Sequence, residues 1–174
     1  MTVVTVATRM SPEEVAEVVD WVVAAGAIYQ VNGGWAVDAL VTRETREHRD
    51  LDDFLDSTFV PPLLEWLHGR GYHLTEDWRP VRVELAGERG RVDVHPMEIQ
   101  DNGDGLQRGF GEQVFLHAAR DRTMGVIGGR EVVVACTARL RELRTGYEPR
   151  PVDLHDLRTL DRLRSCTDPW HLSA

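Results

Sequence analysis

Asp50 and Asp52 are separated by a single residue in the stretch HRDLDD, and residues two apart on a strand project to the same face. Both carboxylates then stand together while Leu51 turns to the core. Two carboxylates side by side cost roughly a few kcal/mol of Coulomb energy unless a cation compensates, and a divalent metal is the simplest compensator. Further along, RVDVHP alternates apolar Val92 and Val94 with Arg91, Asp93 and His95, so Asp93 belongs to the polar face of another strand and can complete the site. Oxygen ligands suit magnesium or manganese. Two such ions about 3.5–4 Å apart can hold both the attacking and the leaving oxygens of an in-line phosphoryl displacement. Taken alone, a D-x-D pair fits a solvated strand edge equally well.

Upstream, Asn32-Gly33-Gly34 ends a short apolar stretch and opens a helical one. Glycines permit close backbone approach, and a helix N-terminus offers free amides and a positive dipole to a triphosphate. Without the carboxylates a glycine pair reads as a plain tight turn; with them it reads as a phosphate-binding element. Arg43, Arg46 and His48 lie between this helix and the D-x-D strand. Arg46 suits a β- or γ-phosphate, and His48 suits the orientation of a phosphate or a carboxylate. Asp38 fits either the site or the helix surface.

These side chains need elements to hold them. Ser11-Pro12-Glu13-Glu14 has the form of a helix start, with a capping-box glutamate, and Val15, Val18, Val19 and Val22 recur at helical spacing as a buried stripe. A strand over 28–31, a helix over 35–41, a strand over 50–55 and a helix from Pro61-Pro62 to Gly69 follow. Three strands are expected at 72–75, 81–85 and 91–95. Residues 96–111, rich in Gly, Asp, Asn and Gln, read as a loop over the site. GVIGGREVVVAC reads as a hairpin turning at Gly128-Gly129. Thr137 is the expected cap of a helix to Leu143, and residues 152–163 supply the last one. Residues 1–135 are read as the core, and 136–174 as a C-terminal helical extension of the same compact domain.

With 29 acidic against 20 basic residues in 174, the net charge of −9 disfavours a phosphodiester backbone as partner, so no nucleic acid is expected. No membrane segment or signal peptide is read, and a cytoplasmic protein is the expectation. Every basic residue is arginine. The absence of lysine excludes Schiff-base chemistry and a Walker-type lysine, leaving any phosphate clamp to arginine, backbone amides or metal. Cys136 and Cys166 lack metal-type spacing, and no disulfide is expected between them.

VNGGWAVDALVTRETREHRDLD, with the later VDVHP strand, resembles the signature of the aminoglycoside and lincosamide nucleotidyltransferases, minimal members of the DNA polymerase beta superfamily. Weaker likenesses lie in IGGREVVVAC and in GYEPRPVDLHDLRTL. The resemblance covers residues 11–163 and implies an α+β nucleotidyltransferase fold, a small mixed β-sheet flanked by helices. It further implies magnesium, two ions with manganese as a substitute, and ATP or another nucleoside triphosphate as co-substrate. The implied reaction moves a nucleoside monophosphate, usually adenylate, to a hydroxyl of a small molecule such as an antibiotic. Asp50, Asp52 and Asp93 are implied as metal ligands, with Asp93 the preferred base. Gly33, Gly34, Arg43, Arg46 and His48 are the candidates for the nucleotide, and Glu98 and Asp101 for amines of the acceptor.

Relatives usually follow the D-x-D with small apolar residues, whereas Asp53 and FLDSTF follow here. In the final motif Pro151-Val152 replaces a basic residue, and Asp153 reads as a helix cap. The resemblance also admits a homodimer with an interfacial site. A catalytically silent nucleotide-binding or antitoxin-like module of the same fold, and transfer to a protein side chain, remain as alternatives.

Overall fold

Ser11 caps the first helix, α1 (Pro12–Ala25), by accepting from the Glu14 amide at 3.2 Å, and Gly26 ends it with φ +76°. In this computed structural model, which describes residues 6–163, Val15, Val18, Val19 and Val22 are buried as the spacing predicts. The Glu14 carboxylate does not turn back to close a capping box; it accepts from the Tyr72 hydroxyl at 2.9 Å and from Arg70 at 2.7 Å. Burial drives that choice, because these partners tie α1 across the core.

After α1 come β1 (Tyr29–Asn32), α2 (Gly33–Val41) and β2 (Asp50–Asp56). A single 3-10 turn leads to α3 (Val60–Gly69), then β3 (His73–Trp78), β4 (Arg82–Gly87) and β5 (Gly90–Ile99). The chain continues through β6 (Gly105–Arg108), β7 (Val114–His117), β8 (Arg122–Ile127), β9 (Arg130–Ala135), α4 (Thr137–Glu142) and α5 (Pro151–Asp161). Among the described residues one mixed sheet runs in the order β3-β4-β5-β2-β1-β9-β8, with β6 and β7 branching from the far end of β5. The fold is therefore the mixed α/β arrangement expected. β2 pairs with β5 in parallel and with β1 antiparallel, and β1 meets β9 in parallel, so the centre of the sheet joins segments distant in sequence.

The core is built from α1, α3 and the inward residues of the central strands, with Val31, Leu51, Leu55, Val92, Val94 and Val134 fully buried. α2 packs on β8 and against α4 and α5, which brings the C-terminal helices to the edge of the carboxylate strands. None of the described helices is long and apolar enough to cross a membrane. Cys136 carries a free thiol, and Cys166 lies outside the described residues.

The expected loop over 96–111 is instead half strand, at 96–99 and 105–108. The strand begun by RVDVHP carries on through Pro96 to Ile99, and a turn fastened by Gln100 N–H to Asp104 O at 2.8 Å returns the chain as β6. Gly105 is required there because a Cβ would meet the Met97 sulfur at 2.5 Å. Composition suggested a loop because Gln100, Asp101, Asn102, Gly103 and Asp104 crowd the turn, while Glu98, Gln107 and Arg108 sit on the strands either side of it. The cap of α4 is Cys136 rather than Thr137, which is already the first helical residue.

Candidate active site

In the parallel β2–β5 ladder, Asp52 lies directly beside Asp93 and Asp50 beside Arg91. Leu51 turns inward and is fully buried. A carboxylate oxygen of Asp52, one of Asp93 and a ring nitrogen of His95 lie within 4.8 Å of one another. His95 Nε2 stands 3.6 Å from Asp52 Oδ1 and 3.7 Å from Asp93 Oδ2. Arg82 donates to Asp93 Oδ2 at 2.7 Å, while Asp93 Oδ1 is buried with no partner. Burial raises the Asp93 pKa to about 6, His95 and Arg82 pulling down and Asp52 pushing up. Asp50 stands outside the convergent trio, in the cleft wall, with Arg49 on its carboxylate at 3.1 Å.

Asp53, on the opposite face of β2, is buried with neither oxygen partnered, and desolvation raises its pKa to about 7. The polar run after the D-x-D thus places one carboxyl inside the core.

The glycine pair makes room for these side chains as much as for a ligand. Gly33 has φ +67°, and a Cβ on it would overlap the Asp52 carboxylate. A Cβ on Gly34 would run into the Arg46 guanidinium and, at 2.6 Å, the His48 ring. Asn32 precedes α2 without capping it, its Oδ1 accepting from Gln30 at 2.9 Å, so no Asn32 side-chain bond covers the first amides of α2. Gly33 and Gly34, the first residues of α2, line the cleft.

Arg46 grips Asp156 of α5 through two hydrogen bonds, of 2.9 and 3.0 Å, and Arg144 reaches the same carboxylate at 2.9 Å. His48 is buried, its Nε2 2.6 Å from Asp38, with its ring 4.3 Å from that of Trp35. The Thr45 hydroxyl donates to Asp38 at 2.5 Å and accepts from His155 of α5 at 2.9 Å. Burial opposes ionisation of Asp38, but the hydrogen bonds from His48 and Thr45 outweigh it and hold its pKa low. His48 thus holds the Asp38 carboxylate and also lines the cleft. Asp153 accepts from Arg150 N–H at 2.9 Å as the third helical residue of α5, and the Arg150 side chain bonds it as well, keeping its pKa low.

The cleft that these residues border has a volume of about 620 Å³. Asp52 and His95 line it, with Asp93 close to both although not itself in the lining; Arg46, Arg144, Tyr147 and Arg150 line it as well. Arg43 is exposed and borders a separate, smaller hollow of about 160 Å³ with Glu44 and Val126. Glu98 is exposed on β5 beside Arg108, and Asp101 is exposed in the following turn; neither borders the cleft. His95, Arg144 and Tyr147 were not among the candidates from sequence. The period-two alternation that selected Asp93 also selects His95. Nothing local marks Arg144 or Tyr147, which reach the cleft only through the packing of α4 and α5.

The family model for aminoglycoside-2''-adenylyltransferases matches residues 14–160. A lincosamide resistance protein of Staphylococcus haemolyticus is 30% identical over 137 residues, covering 76% of this chain and 83% of the relative. Among solved structures, the lincosamide antibiotic adenylyltransferase LnuA with lincomycin bound superposes with a TM-score of 0.81 at 24% identity, over 88% of this chain and 98% of that one. The antibiotic-resistance factor ANT(2'')-Ia gives 0.66 at 16% identity, over 86% of this chain and 81% of that one. Both structural likenesses establish the fold.

Proposed function

This chain belongs to the aminoglycoside-2''-adenylyltransferase family, and from that membership we propose that it moves AMP from ATP to a hydroxyl of an aminoglycoside or lincosamide antibiotic, releasing pyrophosphate. The observation that carries the reading is the convergence of Asp52, Asp93 and His95 at a cleft that Asp52 and His95 line together with Arg46, Arg144 and Arg150.

A divalent ion fits this donor set. Asp52 and Asp93 are adjacent across the ladder, Asp93 keeps a buried oxygen without a partner, and Arg82 and His95 oppose the repulsion on Asp93. Asp52 and Asp93 would hold magnesium or manganese, with Asp50 standing by in the cleft wall, and the ion would supply charge neutralisation at the α-phosphate and the leaving pyrophosphate.

The remaining work belongs to the chain. The uncapped amides of α2 receive phosphate oxygens at Gly33 and Gly34. Arg46 and Arg144, held in position by Asp156, present cationic edges to the same triphosphate without first having to be ordered. Asp38 and His48 brace the loop that carries Arg46. Asp93 would take the proton of the acceptor hydroxyl, and a bound ion would supply the acidification of that hydroxyl. Positioning and charge neutralisation account for most of the rate.

Incubation with magnesium, labelled nucleotides and a panel of aminoglycosides, lincosamides and unrelated alcohols tests the reading. Pyrophosphate release that depends on one antibiotic is the expected result. Nucleotide binding that no acceptor turns into release points to a silent binding module, and label on protein points to a side-chain acceptor.

A further inference from the structure

His95 stacks on Phe54 with ring centroids 4.3 Å apart and planes 8° from parallel, which fixes the imidazole plane. Its Nε2 is buried, has no hydrogen-bond partner, and is directed at Asp52 and Asp93 from 3.6 and 3.7 Å. Its other nitrogen, Nδ1, is 3.3 Å from the side-chain amide nitrogen of Gln107 on β6. The Gln107 oxygen in turn lies 2.9 Å from Nε2 of His117 on β7, and both Gln107 and His117 are buried.

We propose that His95 is a nitrogen ligand of the ion held by the carboxylates, and that Gln107, backed by His117, is the positioning residue that decides which His95 nitrogen carries the proton. The proposal rests on the metal-dependent reading above and adds a ligand and its support to it.

The two orientations of the Gln107 amide place oxygen and nitrogen at interchangeable positions. With the amide NH₂ toward His95, Nδ1 accepts and Nε2–H points at the two carboxylates, an arrangement suited to the site without metal. With the amide reversed, its oxygen accepts from Nδ1–H, and Nε2 offers a lone pair to the ion. The amide NH₂ then donates to His117 Nε2, so the exchange keeps both hydrogen bonds. A ligating histidine holds its second N–H on such a partner, and losing the partner weakens metal binding by roughly 10- to 100-fold.

Nothing in the D-x-D pattern calls for this imidazole. Its place follows from β5 running past Asp93, and that of Gln107 from the return of β6 along β5, with Met97 paired to Gln107.

The test is Mn²⁺ bound to the purified protein, observed by pulsed EPR for nitrogen coupling and by EPR titration for affinity. The unmodified chain should show imidazole nitrogen coupling, absent in His95→Ala. Gln107→Leu should weaken Mn²⁺ binding about 10- to 100-fold. Gln107→Glu, which can only accept at Nδ1, should restore it. Mn²⁺ bound at Asp52 and Asp93 without nitrogen coupling overturns the proposal and leaves nucleotidyl transfer standing, as does equal weakening by Leu and Glu. Absence of Mn²⁺ binding together with metal-independent transfer overturns both. The coupling on the unmodified chain depends on no variant's folding.

Discussion

Arg46 and Asp156, 110 residues apart, meet through two hydrogen bonds, one to each carboxylate oxygen, and Arg144 donates to the Oδ2 that Arg46 also holds. One buried anion thus aligns two guanidiniums along a cleft wall. Asp156→Ala leaves Arg144 buried without a counter-charge and should cost about 3 kcal/mol of stability, read from urea denaturation. In the folded fraction KM for ATP should rise more than kcat falls, because what is lost is cation placement. An unchanged KM would separate Asp156 from nucleotide binding.

Asp52→Asn and Asp93→Asn should each lower transfer by at least about a thousandfold, since each removes a carboxylate from the point of charge neutralisation. Thermal melts should show both variants folded. Undiminished transfer by both would remove the trio from the chemistry.

Gly34→Ala should destabilise the fold by about 1–3 kcal/mol, because the His48 ring it meets is fixed by Asp38 and Trp35 and has nowhere to move. Gly69→Ala is the control: a Cβ there meets nothing within 4 Å, and stability should hold or rise. Chemical denaturation of the pair distinguishes a steric requirement from a general sensitivity to losing glycine.

His117 supplies a pH signature. Burial, with Arg139, His95 and Arg122 adding repulsion, lowers its pKa to about 4. An unfolded histidine titrates near about 6.5, so the unfolded chain takes the proton first. Stability is therefore full above about pH 6.5 and falls as pH drops toward 4, by up to about 3 kcal/mol from this residue. His117→Gln should flatten that limb of the stability–pH curve; equal slopes in both proteins would count against it.

Asp53→Val should raise the melting temperature at neutral pH by several degrees. It replaces an unpartnered carboxyl with an apolar group on the core face of β2, between Leu51 and Leu55. A lower melting temperature would mean that the carboxyl has an unrecognised partner.

Much of this was legible from local pattern. Period-two alternation located Asp52, Asp93 and the buried Leu51, and period 3.6 located the valine stripe of α1, because each signal repeats within a few residues. The strands after Pro96 were hidden by a turn whose composition spread to its neighbours. Glu98 and Asp101, read as pocket residues, sit on and after that strand and face solvent. Arg43 and Arg46 look alike in sequence; only the carboxylate of Asp156 turns one into the cleft while the other borders the second hollow. Arg144 and Tyr147 depend on helix packing, a long-range property that no local spacing carries.

The placement of Asp156 also sets an order on biosynthesis. As the chain leaves the ribosome, Arg46 and Arg144 are complete while α5 is still being made, and bringing them together then sets like charges side by side. The cleft therefore closes last, and ribosome-bound chains halted before α5 should leave the cleft segments open to protease when the strand core already resists it.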